Sequence, residues 1–139
     1  MNSGSVPEVK MDSEFVLTRT ARIWLDADGL LQVVVLPNMP QHSLEAAQEN
    51  MAVIAGFAAD KKRPVLIDMR AMSGIERAAR AYYATGGGRR VATAVALLIG
   101  SPVSRAIANF LISLNRPPIR IQLFTSQAEA ITWLKNFIE

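Results

Sequence analysis

Short apolar runs alternate along this chain with segments in which apolar residues recur every three or four positions, a pattern that few folds accept. Val65-Leu66-Ile67-Asp68-Met69 and the run from Val91 to Ile99 are almost unbroken by polar residues. Runs of that length and uniformity read as strands buried on both faces of a parallel sheet. Ahead of the first, Leu44, Ala47, Met51, Ile54, Ala55 and Ala58 keep helical spacing and place helix one at about Ser43 to Ala59. Between the two runs, Ser73-Gly74-Ile75-Glu76 has the spacing of a capping box. Helix two opens there and continues to about Thr85, where Gly86-Gly87-Gly88 closes it. Ser101-Pro102 supplies a cap and a first-turn proline for helix three, with Val103, Ile107, Phe110, Leu111 and Leu114 at helical spacing. Asn115-Arg116-Pro117-Pro118 stops that helix, Ile119 to Phe124 alternates as a strand, and Ser126-Gln127-Ala128-Glu129 is a second capping box. Helix four follows to the end, with Ala130, Trp133, Leu134 and Phe137 or Ile138 turned inward.

Before helix one, Arg22-Ile23-Trp24-Leu25 and the run from Leu30 to Leu36 flank the turn-forming Asp26-Ala27-Asp28-Gly29, which predicts a β-hairpin. The element order is then β-β-α-β-α-β-α-β-α. Right-handed crossovers between parallel strands make this an α/β fold, a single mixed, mostly parallel sheet of about five strands with four helices. Residues 1–18 are expected to form a flexible N-terminal arm and residues 19–139 a single domain.

Composition narrows the chemistry. The chain of 139 residues has no cysteine and one histidine, His42. Thiolate metal sites, disulfides and cysteine nucleophiles are excluded, and histidine-based metal clusters and Ser/His/Asp triads lose most of their material. No enzymatic activity, cofactor or metal is expected. Charge is uneven: residues 1–70 carry seven basic and nine acidic side chains, residues 71–139 eight basic and three acidic. Arg77, Arg80, Arg89, Arg90 and Arg105 make up most of the excess. These arginines are not interleaved with aromatics and no run of five basic residues occurs. A solvated face or an acidic protein partner is therefore expected in preference to nucleic acid. The uncharged stretches Leu30 to Leu44 and Val91 to Ser104 fall short of the roughly 18–20 apolar residues of a spanning helix. The first twenty residues lack the positive-then-apolar order of a secretory signal, so a cytoplasmic location is expected.

In open α/β sheets, ligands gather at the carboxyl ends of the strands, where the following helices point their N termini. That edge here comprises Asn38 to Ser43, Arg70 to Arg77, Gly100 to Arg105 and Thr125 to Gln127. Arg70, Arg77 and Arg105 stand where a phosphate, a carboxylate or an acidic side chain would dock, although each serine also serves simply as a helix cap. Gly86 to Gly88 follow a helix and precede a strand, the reverse of a phosphate-cradling loop. Asp68 and Glu76 are conceivable as a carboxylate pair, but neighbouring Arg70 favours an ion pair with Asp68 instead. His42 reads as a loop residue, and of the adjacent Tyr82 and Tyr83 only one faces the core squarely.

Three features together resemble the STAS and SpoIIAA-like superfamily over residues 19–139. They are the element order, the strand Val65-Leu66-Ile67-Asp68-Met69 leading to Ser73-Gly74-Ile75-Glu76, and the ending Phe124-Thr125-Ser126-Gln127-Ala128-Glu129-Ala130-Ile131-Thr132-Trp133-Leu134. The resemblance implies regulation of the anti-sigma-factor-antagonist kind, in which a helix-two surface docks on a kinase-like partner and is switched by phosphorylation at that helix's N terminus. Other members of the superfamily hold an apolar ligand. The antagonists' Asp-Ser or Asp-Thr pair is replaced here by Glu76-Arg77. Ser73, three residues earlier and beside Arg70 and Arg77 in sequence, is the remaining candidate phosphoacceptor. The expected function is a non-enzymatic regulatory protein-interaction module contacting its partner through Arg70, Ser73, Glu76, Arg77 and Arg80. Arg77 and Arg80 are expected to share a face, with Glu76 bracing Arg80. The alternative is binding or carriage of an apolar, lipid-like ligand on helix three, where Ile107, Phe110, Leu111 and Leu114 cover more than one face. A homodimer interface would use the same residues.

Overall fold

Asp26 organises the first turn of the domain. Its side chain accepts hydrogen bonds from the backbone N–H groups of Asp28 at 2.9 Å and Leu30 at 3.0 Å, and its carbonyl accepts from Gly29 at 3.1 Å. Gly29 sits at φ +91°, a conformation that glycine adopts without a Cβ clash. The structure, a computed structural model, describes residues 14–39, 41–59, 61–84, 91–113 and 119–138. Within it, Val16–Leu17 (β1) pairs antiparallel with Ala21–Leu25 (β2), and β2 pairs across the Asp26 turn with Leu31–Val35 (β3). The hairpin is the expected one. Strand β1 was not announced by the pattern and raises the sheet to six strands.

Leu44–Ala58 (α1) leads to Arg63–Asp68 (β4), Arg77–Ala84 (α2), Ala92–Leu98 (β5), Pro102–Ser113 (α3), Arg120–Phe124 (β6) and Gln127–Leu134 (α4), with a final 3-10 turn at Lys135–Phe137. The strands lie side by side in chain order, and those from β3 to β6 are parallel. Right-handed crossovers between neighbouring strands all return on the same side. Accordingly Ile54 and Ala58 of α1 and Ile107 and Ala108 of α3 share one core with Val33, Val65, Val95 and Leu97. Helix α4 follows the last strand and closes the other face, setting Ala130 and Leu134 against Leu66, Ala94, Ala96 and Leu98. Strand β5 thus feeds two cores by simple alternation, which is why its sequence shows no polar face. Its small residues, Ala94 and Ala96, lie on the side where α4 packs.

Some local expectations are corrected. The buried face of α1 is Ala46, Ala47, Asn50, Ile54 and Ala58, while Ala55 is exposed. Asn50 is inside because two buried threonines meet it: the Thr18 hydroxyl lies 2.5 Å from Asn50 Oδ1, and Asn50 Nδ2 donates to Thr20 Oγ1 at 3.0 Å. A buried amide engaged on both sides is affordable where an unpaired one is not. The capping box at Ser73 does not form, since α2 begins only at Arg77. The residues before it are held extended: Ile75 bridges His42 in parallel, and the Glu76 N–H donates to the His42 carbonyl at 2.9 Å. The second box does cap its helix, Ser126 Oγ accepting from the Glu129 N–H at 3.2 Å. Trp133 and Phe137 pack partly buried against the α4 core, whereas Ile138 is exposed. The expected closure by Gly86 to Gly88, the stop at Asn115 to Pro118 and the first thirteen residues of the arm lie outside the described residues.

Candidate functional site

His42 joins the two loops at the carboxyl edge of the sheet. Its N–H donates to the Gly74 carbonyl at 3.1 Å and its carbonyl accepts from Glu76, so the loop after β3 is laced to the loop after β4. Its ring is buried, stacked on Tyr83 of α2 with centroids 5.9 Å apart, and its Nε2 shares a 2.8 Å hydrogen bond with the Tyr83 hydroxyl. Burial pushes the His42 pKa down and the Tyr83 pKa up, so the pair is a neutral imidazole beside a neutral phenol. Beneath these loops lies a cavity of about 10 Å³ bordered by Thr20, Met39, His42 and Ser73. That volume holds about one water.

The loop fixed in this way presents charge. Arg70 Nε and Nη2 grip the Asp68 carboxylate at 2.9 and 2.7 Å, the expected ion pair, and the hydrogen bond and charge of Asp68 raise the arginine's pKa further. Asp68 is therefore committed to Arg70. The Arg70 stem lies against Gly100, where an added Cβ would come within 3.0 Å of Arg70 Cγ. The Arg70 side chain nevertheless keeps 48% of its surface open. Ser73, Glu76 and Arg77 are exposed, and the Ser73 hydroxyl makes a long 3.4 Å hydrogen bond to the Met39 carbonyl.

Arg77 is exposed at the start of α2, whereas Arg80, one turn on, is half-buried and reaches α3. Its guanidinium lies 5.2 Å from the centre of the Phe110 ring, and its Nε is enclosed without a hydrogen-bond partner among the described residues. Glu76 does not brace it through an ion pair; the contact is the helical one, Arg80 N–H to Glu76 carbonyl at 3.0 Å. The helix-three residues divide as well. Ile107 is buried and Leu111 packs against the core, Phe110 and Val103 stay exposed at 38% and 48%, and Leu114 lies outside the described residues.

Residues 23–138 match the family described as a domain of unknown function, DUF7793. The chain belongs to the DUF7793 family. Among solved structures it is similar to an uncharacterised DUF3478-family protein with a SpoIIAA-like fold from Shewanella loihica PV-4. That likeness has a TM-score of 0.60 at 17% identity, covering 82% of this chain and 91% of that one. The fold of this DUF7793 domain is thus SpoIIAA-like, as the family resemblance implied. A protein of unknown function from Arthrobacter sp. FB24 is 31% identical over 86% of this chain and 95% of its own, with a TM-score of 0.29. No curated protein matches the chain.

In this DUF7793 domain Arg70, Ser73, Glu76 and Arg77 are all exposed on the segment that runs from the end of β4 to the start of α2. Sequence reasoning missed the contacts between distant positions. His42 and Tyr83 are 41 residues apart, and neither carries a motif. The only local hint was the paired tyrosines, of which Tyr83 turns to His42. Among the described residues no three His, Asp or Glu side chains come together as a metal site, and no helix is long and apolar enough to cross a membrane.

Proposed function

We propose that this domain is a non-enzymatic regulatory module that docks a protein partner through the β4–α2 loop and the start of α2. The observation that carries the reading is the exposure of Arg70, Ser73, Glu76 and Arg77 on backbone pinned by His42. A preordered surface loses little entropy on association. Arg80 and Phe110 extend it toward α3, and arginine and aromatic residues are the types that interfaces concentrate. The net charge of these side chains is positive, so the matching face of the partner is acidic. The SpoIIAA-like fold supports the reading by analogy, since related antagonists dock through the same helix.

Ser73 is the place for a switch. A phosphate there adds close to two negative charges to a loop flanked by arginines and cancels the positive charge it offers an acidic partner. The test is capture from host extract on immobilised protein, comparing wild type with Arg70→Glu/Arg77→Glu. The wild type is expected to retain a partner that the double variant loses, and an identical capture list overturns the proposal. Apolar-ligand carriage is less well supported, because Ile107 and Leu111 of α3 are spent on the core. Native mass spectrometry separates the two: the docking module appears as a bare monomer or dimer, a carrier with a lipid-mass adduct.

A further inference from the structure

At the opposite pole of the sheet, the amino ends of β4, β5 and β6 border an open groove of about 590 Å³. Lys62, Thr93, Arg120 and Asn136 form its polar wall, and Ile119 and Ile138 its apolar flank. Among the described residues, two cations line it and no carboxylate does. Arg19, Arg70 and Lys135 each have an acidic partner, whereas neither Lys62 nor Arg120 belongs to an ion pair among the described residues. Arg120 lies over the ring of Phe137, 5.3 Å from its centroid, which orders the guanidinium while leaving its in-plane donors unspent. Thr93 and Asn136 are already committed, the Thr93 hydroxyl to the Phe137 carbonyl at 3.0 Å and Asn136 Nδ2 to the Trp133 carbonyl at 3.1 Å. They hold the C-terminal turn in place as a wall and leave recognition to the two cations.

We propose that this groove binds a small organic oxyanion, a phosphate monoester or a carboxylate, whose apolar portion lies on Ile119 and Ile138. A planar guanidinium with free donors and an ammonium acting as a point charge form a donor set suited to an oxyanion. Like charges gathered in a concave site focus a positive potential that draws anions in. The volume falls within the roughly 300–1,000 Å³ of small-molecule sites, and the exposed Ile138 offers a surface that a purely inorganic ion would leave bare. The site is remote from the docking edge and does not rest on that reading.

The test is an amide NMR titration at low ionic strength with phenyl phosphate, benzoate and the neutral benzyl alcohol. Saturable shifts at Thr93, Arg120 and Asn136 are expected with phenyl phosphate or benzoate and not with benzyl alcohol. The tighter of the two anions identifies the headgroup as phosphate or carboxylate. Lys62→Gln and Arg120→Gln should each weaken binding at least tenfold. Lys62 is exposed, so its replacement removes charge without removing packing, and an unchanged spectrum outside the groove confirms that the variant folds. An absence of saturable shifts with both anions, equal shifts with benzyl alcohol, or unweakened binding in the two variants overturns the proposal.

Discussion

His42 combines burial, a hydrogen bond to Tyr83 and two backbone links in one residue, and its protonation has a calculable consequence. Burial lowers its pKa in the folded state, while the unfolded chain takes up a proton near the ordinary value of about 6.5. Below that pH the unfolded state binds more protons than the folded state does. The contribution of His42 to stability is therefore complete above about pH 6.5 and declines as the pH falls beneath it. Urea unfolding at several pH values between 7.5 and 5.0 should show a steeper loss for the wild type than for His42→Phe, and matching slopes would remove His42 as the source. Tyr83→Phe deletes the hydroxyl and leaves the buried imidazole short of a partner, an expected cost of about 1–2 kcal/mol at pH 7.5.

Helix starts show how the same local signal leads to two outcomes. Ser126 and Ser73 both head a Ser-x-x-Glu sequence, yet only Ser126 accepts a hydrogen bond from the residue three ahead. The segment from Gly74 to Glu76 is drawn instead into the bridge with His42, and the helix starts later. Ser126→Ala should lower stability by about 1 kcal/mol, the usual cost of losing an N-cap. Ser73→Ala should stay within about 0.5 kcal/mol, as exposed substitutions usually do. Thermal denaturation of the two variants side by side measures the difference, and equal losses would contradict the extended conformation at 74–76. Strand β5 carries the complementary lesson. Its apolar run was legible as a two-sided buried strand, but which of its residues serve which core depends on where α4 lands.

Across the whole molecule, sequential strand order puts three helices on one face of the sheet and α4 on the other. Leu134 is the larger of the two residues, with Ala130, that α4 buries fully in its core. Leu134→Ala should cost about 2–5 kcal/mol in urea unfolding, and a loss below about 1 kcal/mol would mean that α4 is only weakly docked. The element order from the hairpin onward, the hairpin turn, the two buried central strands, the start of helix one at Ser43, the cap at Ser126 and the Asp68–Arg70 pair were all legible from the sequence, because each rests on residues within a few positions of one another. Periodicity and capping are local properties of the chain. Three features came only from the tertiary structure: the His42–Tyr83 link, the turning of Arg80 onto Phe110, and the groove where Lys62 and Arg120 face a common space. Each depends on how separate elements pack, and no short-range pattern encodes the distance between residues that meet only after the sheet and its helices have assembled.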